Sequence, residues 1–584
     1  MDQNNLSDSF GRFILVNAQI VSMSSGDTDV SRRKFLGAAG GAAVTVGLAG
    51  CSGNDSNGSD GSDGADGSDG GDSSLLRYGR GSHSATLDFQ NSTSGEVAKV
   101  TEQIYDTLVN FEPGESTLTD GLASDYTLEG ETASLTLKEG VTFHNGEEFT
   151  AQDFVATYRR FVDSEYENYA GDDYVSAYGP FTLGSWIDEI QVDGDYELTI
   201  QLTQTYAPFL RNLAMFAAAV HSEAAIEEYG TDLSENAVGT GAFELDTLDD
   251  SNEQVRLTAY DDYWGDGPEV DEVVFVTVGE NSTRAQSLAS GELDIIDGLG
   301  AQSSQQVEGT DGVELVRTEG INIGYMAFNI AEVEEFQDRR VRQAVSHAIN
   351  TEAIVNQIYS GFATEASQPL PPNVMGHNDD LDPYAYDPEQ AQTLLEEAGY
   401  GDGFSFELAT FQNPRGYNPS PIQTAETVAS NLSEVGIEVE INQQSFAPFL
   451  EYTAQGRHDA CFLGWYTDNA DPDNFAYVLL HPQVEDSELT DGQDWVSFDA
   501  EGYNTSNRSA WANSEYMSLV EESQQTTTES DRVELYNEAM EIAHDEAPWV
   551  YLDYAEELRG VADRVSGFQI AAISGPYLNL VSLE

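Results

Sequence analysis

The chain has 584 residues, with 104 Asp and Glu against 23 Lys and Arg, a net charge of −81. Hydrophobic residues make up 40%, including 26 Phe, 28 Tyr and 6 Trp, too many for a mainly disordered chain. The acid excess argues strongly against nucleic acid as a partner, because affinity for phosphate rests on Lys and Arg, and it disfavours an anionic membrane surface.

The length allows roughly two to four packing units. Lysine occurs only at Lys34, Lys99 and Lys138, and the acids are spread along the chain rather than gathered in a tail. At low salt such a surface repels itself, whereas in molar salt the screening length falls to about 3 Å. The economical reading is a halophilic protein whose dispersed carboxylates serve solvation, not metal binding.

The N-terminal region reads as an address. Ser31-Arg32-Arg33-Lys34-Phe35-Leu36 precedes an uncharged run from Gly37 to Gly50 and then Cys51. Arg32 and Arg33 before a short, weakly apolar segment form a twin-arginine export signal. The run is shorter than the about 20 apolar residues that a membrane-spanning helix needs. Leu48-Ala49-Gly50-Cys51 resembles a lipobox, in which Cys51 becomes a lipid-modified N-terminus; a free cysteine buried in an apolar helix is the alternative that the flanking residues disfavour. Met23 starts an ordinary leader, so Met1–Ser22 reads as an upstream extension, with a genuine long leader as the alternative. From Ser52 to Ser74 every residue except Ala65 is Ser, Gly, Asp or Asn, a flexible self-repelling tether. The organisation is therefore a signal region over 1–50, a lipid-anchored linker over 51–74, and a folded body from Leu75.

The body reads as mixed α/β. Period-two patterns at Ala133-Leu135-Leu137, Leu198-Ile200-Leu202 and Ile437-Val439-Ile441 predict strands. Thr150 is placed to cap a helix over Ala151–Asp163, and Val341, Ala344, Val345, Ala348 and Ile349 share one helical face. Asp387-Pro388-Glu389-Gln390 gives a cap, a first-turn Pro and a capping-box Gln, and Gly399 stops that helix. Gly239-Thr240-Gly241 lacks the spacing of a phosphate cradle. After Cys51 only Cys461 remains, so the mature body has no intramolecular disulfide.

Nothing in the chain points to catalysis, a cofactor or a resident metal. There is no Gly-x-Ser-x-Gly elbow, His-Glu-x-x-His or P-loop, and the eight His are scattered. Asp468-Asn469-Ala470-Asp471-Pro472-Asp473 begins like a calcium loop, but the sixth and twelfth positions hold Asp473 and Leu479 where an EF-hand needs Gly and Glu.

An ordered series of motifs carries a family resemblance. Leu122-Ala123-Ser124-Asp125-Tyr126 and Leu135-Thr136-Leu137-Lys138-Glu139-Gly140-Val141-Thr142-Phe143-His144-Asn145-Gly146 resemble the signature of family 5 solute-binding proteins of ABC importers. The likeness continues through Val238–Phe243, Asp262-Tyr263-Trp264, Ser290–Asp294, Asp338–Ala344 and Tyr386-Asp387-Pro388, and covers nearly everything from Leu75 onward. It implies a large periplasmic-binding-protein-like α/β fold of three subdomains, in which two lobes close about a hinge over a ligand in the cleft. The implied first lobe is 75–110, 232–322 and 550–584, with a subdomain at 111–231; the second lobe is 323–549. The hinge crossings fall near Asn322–Phe328 and Ala547–Asp553. The implied partners are a short peptide and the permease subunits of an importer with cytoplasmic ATPases. The protein would be a monomer outside the cell membrane, touching the membrane only through its lipid.

Two segments resemble the dipeptide-binding members of the family: Arg415-Gly416-Tyr417-Asn418-Pro419 and Gly464-Trp465-Tyr466-Thr467-Asp468 onward. The resemblance implies that Arg415 takes the peptide's α-carboxylate and Asp468 its α-ammonium, with Trp465 and Tyr417 as cleft walls. Thr93-Ser94-Gly95 resembles the ligand loop of the first lobe. The chemistry is coherent, since a planar guanidinium matches a carboxylate and an acid matches an ammonium. Each residue has a plainer reading: Arg415 as surface solvation, Asp468 as a turn cap, Trp465 as core. Nickel chelates, haem and oligosaccharides are alternative cargoes within the family. A secreted hydrolase or a sensor receptor is the alternative outside it.

Overall fold

The computed structural model describes residues 74–584 apart from 491 and 574. Arg32, Arg33, Cys51 and almost all of the tether lie outside these described residues. Among the described residues, no helix is long and apolar enough to cross a membrane.

A 12-stranded mixed sheet organises the body. One half is built on Leu75–Arg80, which pairs in parallel with Glu272–Thr277 and Ile295–Ile296. Gln254–Ala259 and Phe243–Asp249 extend that half antiparallel. The other half runs from Glu438–Gln444 through Ser405–Phe411 and Ala460–Tyr466 to Asn322–Phe328. The 14-residue strand Trp549–Ala562 joins them: its first residues pair with Asn322–Phe328, its last with Val313–Glu319 and Ile295–Ile296.

The chain thus passes between the halves twice, at Gly320-Ile321 and within the long strand near Ala555. These points lie beside the crossings expected at Asn322–Phe328 and Ala547–Asp553. The buried Asn322 side chain ties the two passages together, donating to the Ala555 carbonyl at 2.8 Å and accepting from its N–H at 2.9 Å. Gly320 is needed there because a Cβ would strike that same carbonyl.

A second, four-stranded antiparallel sheet orders Ala123–Glu129, Thr132–Leu137, Glu197–Leu202 and Ile187–Gly194. Ala133, Leu135 and Leu137 turn inward as their alternation predicts, as do Leu198, Ile200 and Leu202. The helix after Thr150 runs Ala151–Val162, with the Asp153 carboxylate accepting from the Thr150 N–H at 2.8 Å. Asp387 caps Pro388–Ala398 by accepting from the Glu389 and Gln390 N–H groups, and Gly399 ends it at φ +93°. The core of the four-stranded unit is continuous with that of the second half of the large sheet. Phe161, Tyr178, Phe181 and Phe216 of the same unit join the separate core of the first half. This unit therefore packs on both.

Candidate ligand cleft

A cavity of about 650 Å³ lies between the two halves of the large sheet, against the last residues of the joining strand. From the first half it is lined by Gly95, Lys99 and Asp297, from the second by Arg415 and Tyr466, and from the joining strand by Arg559. Two of its three cations are already matched. The Lys99 ammonium sits 2.7 Å from Glu96 and 2.5 Å from Asp297, and the Arg559 guanidinium 2.9 Å from Glu557. Arg415 has no ion pair among the described residues.

Local chemistry sets Arg415 at the rim. Residues 415 and 418 exchange both backbone hydrogen bonds, at 2.9 and 3.0 Å, closing a tight turn with Gly416 and Tyr417 at its tip. The turn leaves Arg415 exposed and buries Tyr417. The Arg415 guanidinium lies 3.5 Å from the centroid of the Phe446 ring, a cation–π shelf that orients it without spending its donors. Tyr417 packs over Gly464, where any Cβ would strike its ring.

Asp468 has the opposite setting. It follows the strand Ala460–Tyr466 in a loop running to Asp473, and its side chain is half-buried. One carboxylate oxygen accepts from the Tyr178 hydroxyl at 2.6 Å, the other from the Asn474 amide at 3.2 Å. Asn474 also accepts from the Trp465 indole N–H at 2.8 Å, so it fixes Trp465 and Asp468 together. No cation pairs with Asp468 among the described residues. Burial therefore raises its pKa, with the hydrogen bonds from Tyr178 and Asn474 opposing that shift.

The remaining acids of the loop are occupied. Arg532 grips Asp471 in bidentate fashion at 2.7 and 3.0 Å. Burial pushes the Asp471 carboxyl up, but Arg532 overrides it and the group sits below the usual carboxylate range. Asp473 accepts from Gln524 at 2.8 Å and Tyr206 at 3.2 Å; burial and the neighbouring Asp471 charge push it up to about 7. The resemblance to a calcium loop thus dissolves into structural pairing.

Of the residues singled out in the sequence, Arg415 and Gly95 line the cavity; Asp468, Trp465, Tyr417, Thr93 and Ser94 are not among its lining residues. Ser94 caps the helix Gly95–Ile104, accepting from the Glu96 N–H at 3.2 Å. Arg415 follows the strand Ser405–Phe411 and Asp468 follows its parallel neighbour Ala460–Tyr466. Tyr466, packed with its hydroxyl on Gly416, faces the Arg415 side, and Trp465, its neighbour in a period of two, faces the Asn474 side. Sequence reasoning missed Tyr178, which is one of 28 Tyr and sits 290 residues from its acceptor in no quoted motif. It also missed Lys99, Asp297 and Arg559, whose meeting depends on the register of the large sheet.

The comparisons with known proteins agree with this architecture. Residues 117–487 match the family model for bacterial extracellular solute-binding proteins, family 5. The dipeptide-binding protein of Escherichia coli is 29% identical over 511 residues, 85% of this chain and 91% of the relative. Heme-binding protein A of Haemophilus influenzae is also 29% identical, over 80% of this chain and 84% of the relative. An ABC transporter-associated periplasmic binding protein from Helicobacter pylori, solved with the peptide STSA, superposes with a TM-score of 0.71. It is 29% identical and the match covers 87% of this chain and 98% of that one. With the matched segment spanning more than half of the chain and a mixed α/β, two-lobed architecture in common, this protein belongs to the family 5 bacterial extracellular solute-binding proteins, non-enzymatic receptors that serve ABC importers.

Proposed function

We propose that the protein captures a dipeptide or short oligopeptide outside the cytoplasm and delivers it, chemically unchanged, to the permease of an ABC importer driven by cytoplasmic ATPases. One observation supports this reading: among the described residues the Arg415 guanidinium forms no ion pair and the Asp468 carboxylate has no cation, and the two follow the adjacent parallel strands Ser405–Phe411 and Ala460–Tyr466, with Arg415 on the cleft. A free peptide is a zwitterion, and this arrangement offers each of its ends the complementary charge. The relatives with peptide-binding names and the peptide-bound structure favour peptide over the haem named for another relative.

The lobes in this reading are 75–110, 232–322 and 550–584 against 323–549, with 111–231 in contact with both. Arg32 and Arg33 would direct twin-arginine export, lipid on Cys51 would hold the receptor near its permease, and the acidic surface would suit a saline milieu.

Mass spectrometry of cargo released from the purified protein, followed by calorimetry, tests the proposal. The expected result is a free peptide, with N-acetylation weakening binding by about tenfold or more, since a buried charged hydrogen bond contributes about 1.5–3 kcal/mol, and C-amidation by about fivefold at the exposed Arg415. Equal binding of free and doubly blocked peptides would overturn it.

A further inference from the structure

The loop that carries Asp468 is held by a second part of the chain, through a shared apolar core and a series of polar rungs. Tyr178 donates its hydroxyl to Asp468 at 2.6 Å. The Asn469 side-chain amide donates to Oδ1 of Asn212 at 2.8 Å. Arg211 approaches Asp471 at 3.8 Å, and Tyr206 donates to Asp473 at 3.2 Å. The Ala207 N–H donates to the Gln524 carbonyl at 2.7 Å, adding a backbone rung from the helix that also supports Asp473. Residues 178–212 all belong to the four-stranded unit; residues 468–473 follow the strand Ala460–Tyr466 of the large sheet.

The rungs are dry. Asn212 and Asp471 are fully buried, and Asn469, Asp473 and Gln524 nearly so. Pairing polar groups in such a place fixes relative position closely, because any slip leaves a buried donor or acceptor unmade. Tyr178 is itself anchored, its ring packed edge-on to Phe216 with centroids 5.7 Å apart. Its hydroxyl is the rung that ends on the carboxylate offered to the cargo.

We infer that Tyr178 is a positioning residue for cargo recognition, orienting the Asp468 carboxylate toward an α-ammonium from across the boundary between the four-stranded unit and the large sheet. The inference rests on the peptide reading above. Tyr178 need not touch the cargo: a hydrogen bond on one oxygen of Asp468 sets the plane of the carboxylate and leaves outward lone pairs for the ammonium. Because the same hydroxyl spans the two units, capture of an amine and apposition of those units converge on one side chain.

The test is a double-mutant cycle with Tyr178→Phe and Asp468→Asn, read by calorimetry with a free dipeptide and its N-acetylated form. Tyr178→Phe removes one oxygen and keeps the ring, and its melting temperature confirms folding. The expected result is a roughly three- to tenfold loss for the free peptide, no change for the N-acetylated one, and little added loss when Tyr178→Phe is combined with Asp468→Asn. The inference is overturned if Tyr178→Phe binds the free peptide like wild type, if it weakens both peptides equally, or if the two substitutions add fully. Failure of the underlying reading looks different: Asp468→Asn alone would then leave the free peptide unaffected.

Discussion

Arg415 stands exposed at the rim of the cleft, stacked on one aromatic ring and with no ion pair among the described residues, whereas Asp468 is half-buried, fixed by two hydrogen bonds and drawn into a largely buried polar clasp. The two carry the charges proposed for opposite ends of one cargo, yet only one sits in a low-dielectric setting. Charge complementarity alone therefore does not say how much each end contributes. An exposed pair is screened and reaches at most about 1 kcal/mol, while truncating one partner of a buried charged pair costs about 2–5 kcal/mol.

The largest expected effect follows from this contrast. Asp468→Ala should weaken a free-amine peptide by about thirtyfold or more, measured by calorimetry, and molar KCl should leave that ratio nearly intact. Because burial raises the Asp468 pKa in the free protein, affinity should begin to fall on acidification above the ordinary carboxylate range; an onset at the ordinary value would show that the carboxylate is solvated in the free protein.

Arg415→Ala should cost less, about fivefold at low salt, and the cost should shrink as KCl approaches molar concentrations. An Arg415 effect as large and as salt-resistant as that of Asp468 would mean that the rim closes dry over the cargo, and the contrast would fail.

Asp473 separates clasp stability from binding. An acid whose pKa rises to about 7 on folding binds an extra proton in the folded state between its ordinary value and about 7, so its contribution worsens as pH rises through that window. Asp473→Asn should therefore raise the melting temperature at pH 8 by an amount worth on the order of 1–3 kcal/mol and change little at pH 4. Equal effects at both pH values would remove the buried charge as the cause.

The smallest effect is expected for Phe446→Ala. Removing the shelf under Arg415 should weaken peptide binding by about two- to fivefold, since an exposed cation–π contact contributes about 0.5–1 kcal/mol. No change would mean that the turn alone orients Arg415.

Much of the fold was legible from local pattern. The strands around Leu135 and Leu198 and the helix capped by Asp387 appear where alternation and capping residues put them, because those signals act over a few residues of chain. Arg415 and Gly95, reached through motif likeness, line the cavity, whereas Asp468, Trp465, Tyr417, Thr93 and Ser94, reached in the same way, do not. Tyr178 was not reachable in this way. Its partner is 290 residues distant, and tyrosines are plentiful in this chain.

The sequence by itself determined the acidic surface, the alternating strands, the capped helices and the ordered motifs of a solute-binding family, all set by composition or by neighbours a few residues apart. The tertiary structure alone decided which charges remain unmatched. Whether a guanidinium is spoken for, as at Arg532, or open, as at Arg415, depends on whether strand register and unit packing bring an acid within a few ångströms, and residues far apart in the chain meet only when the whole sheet is formed.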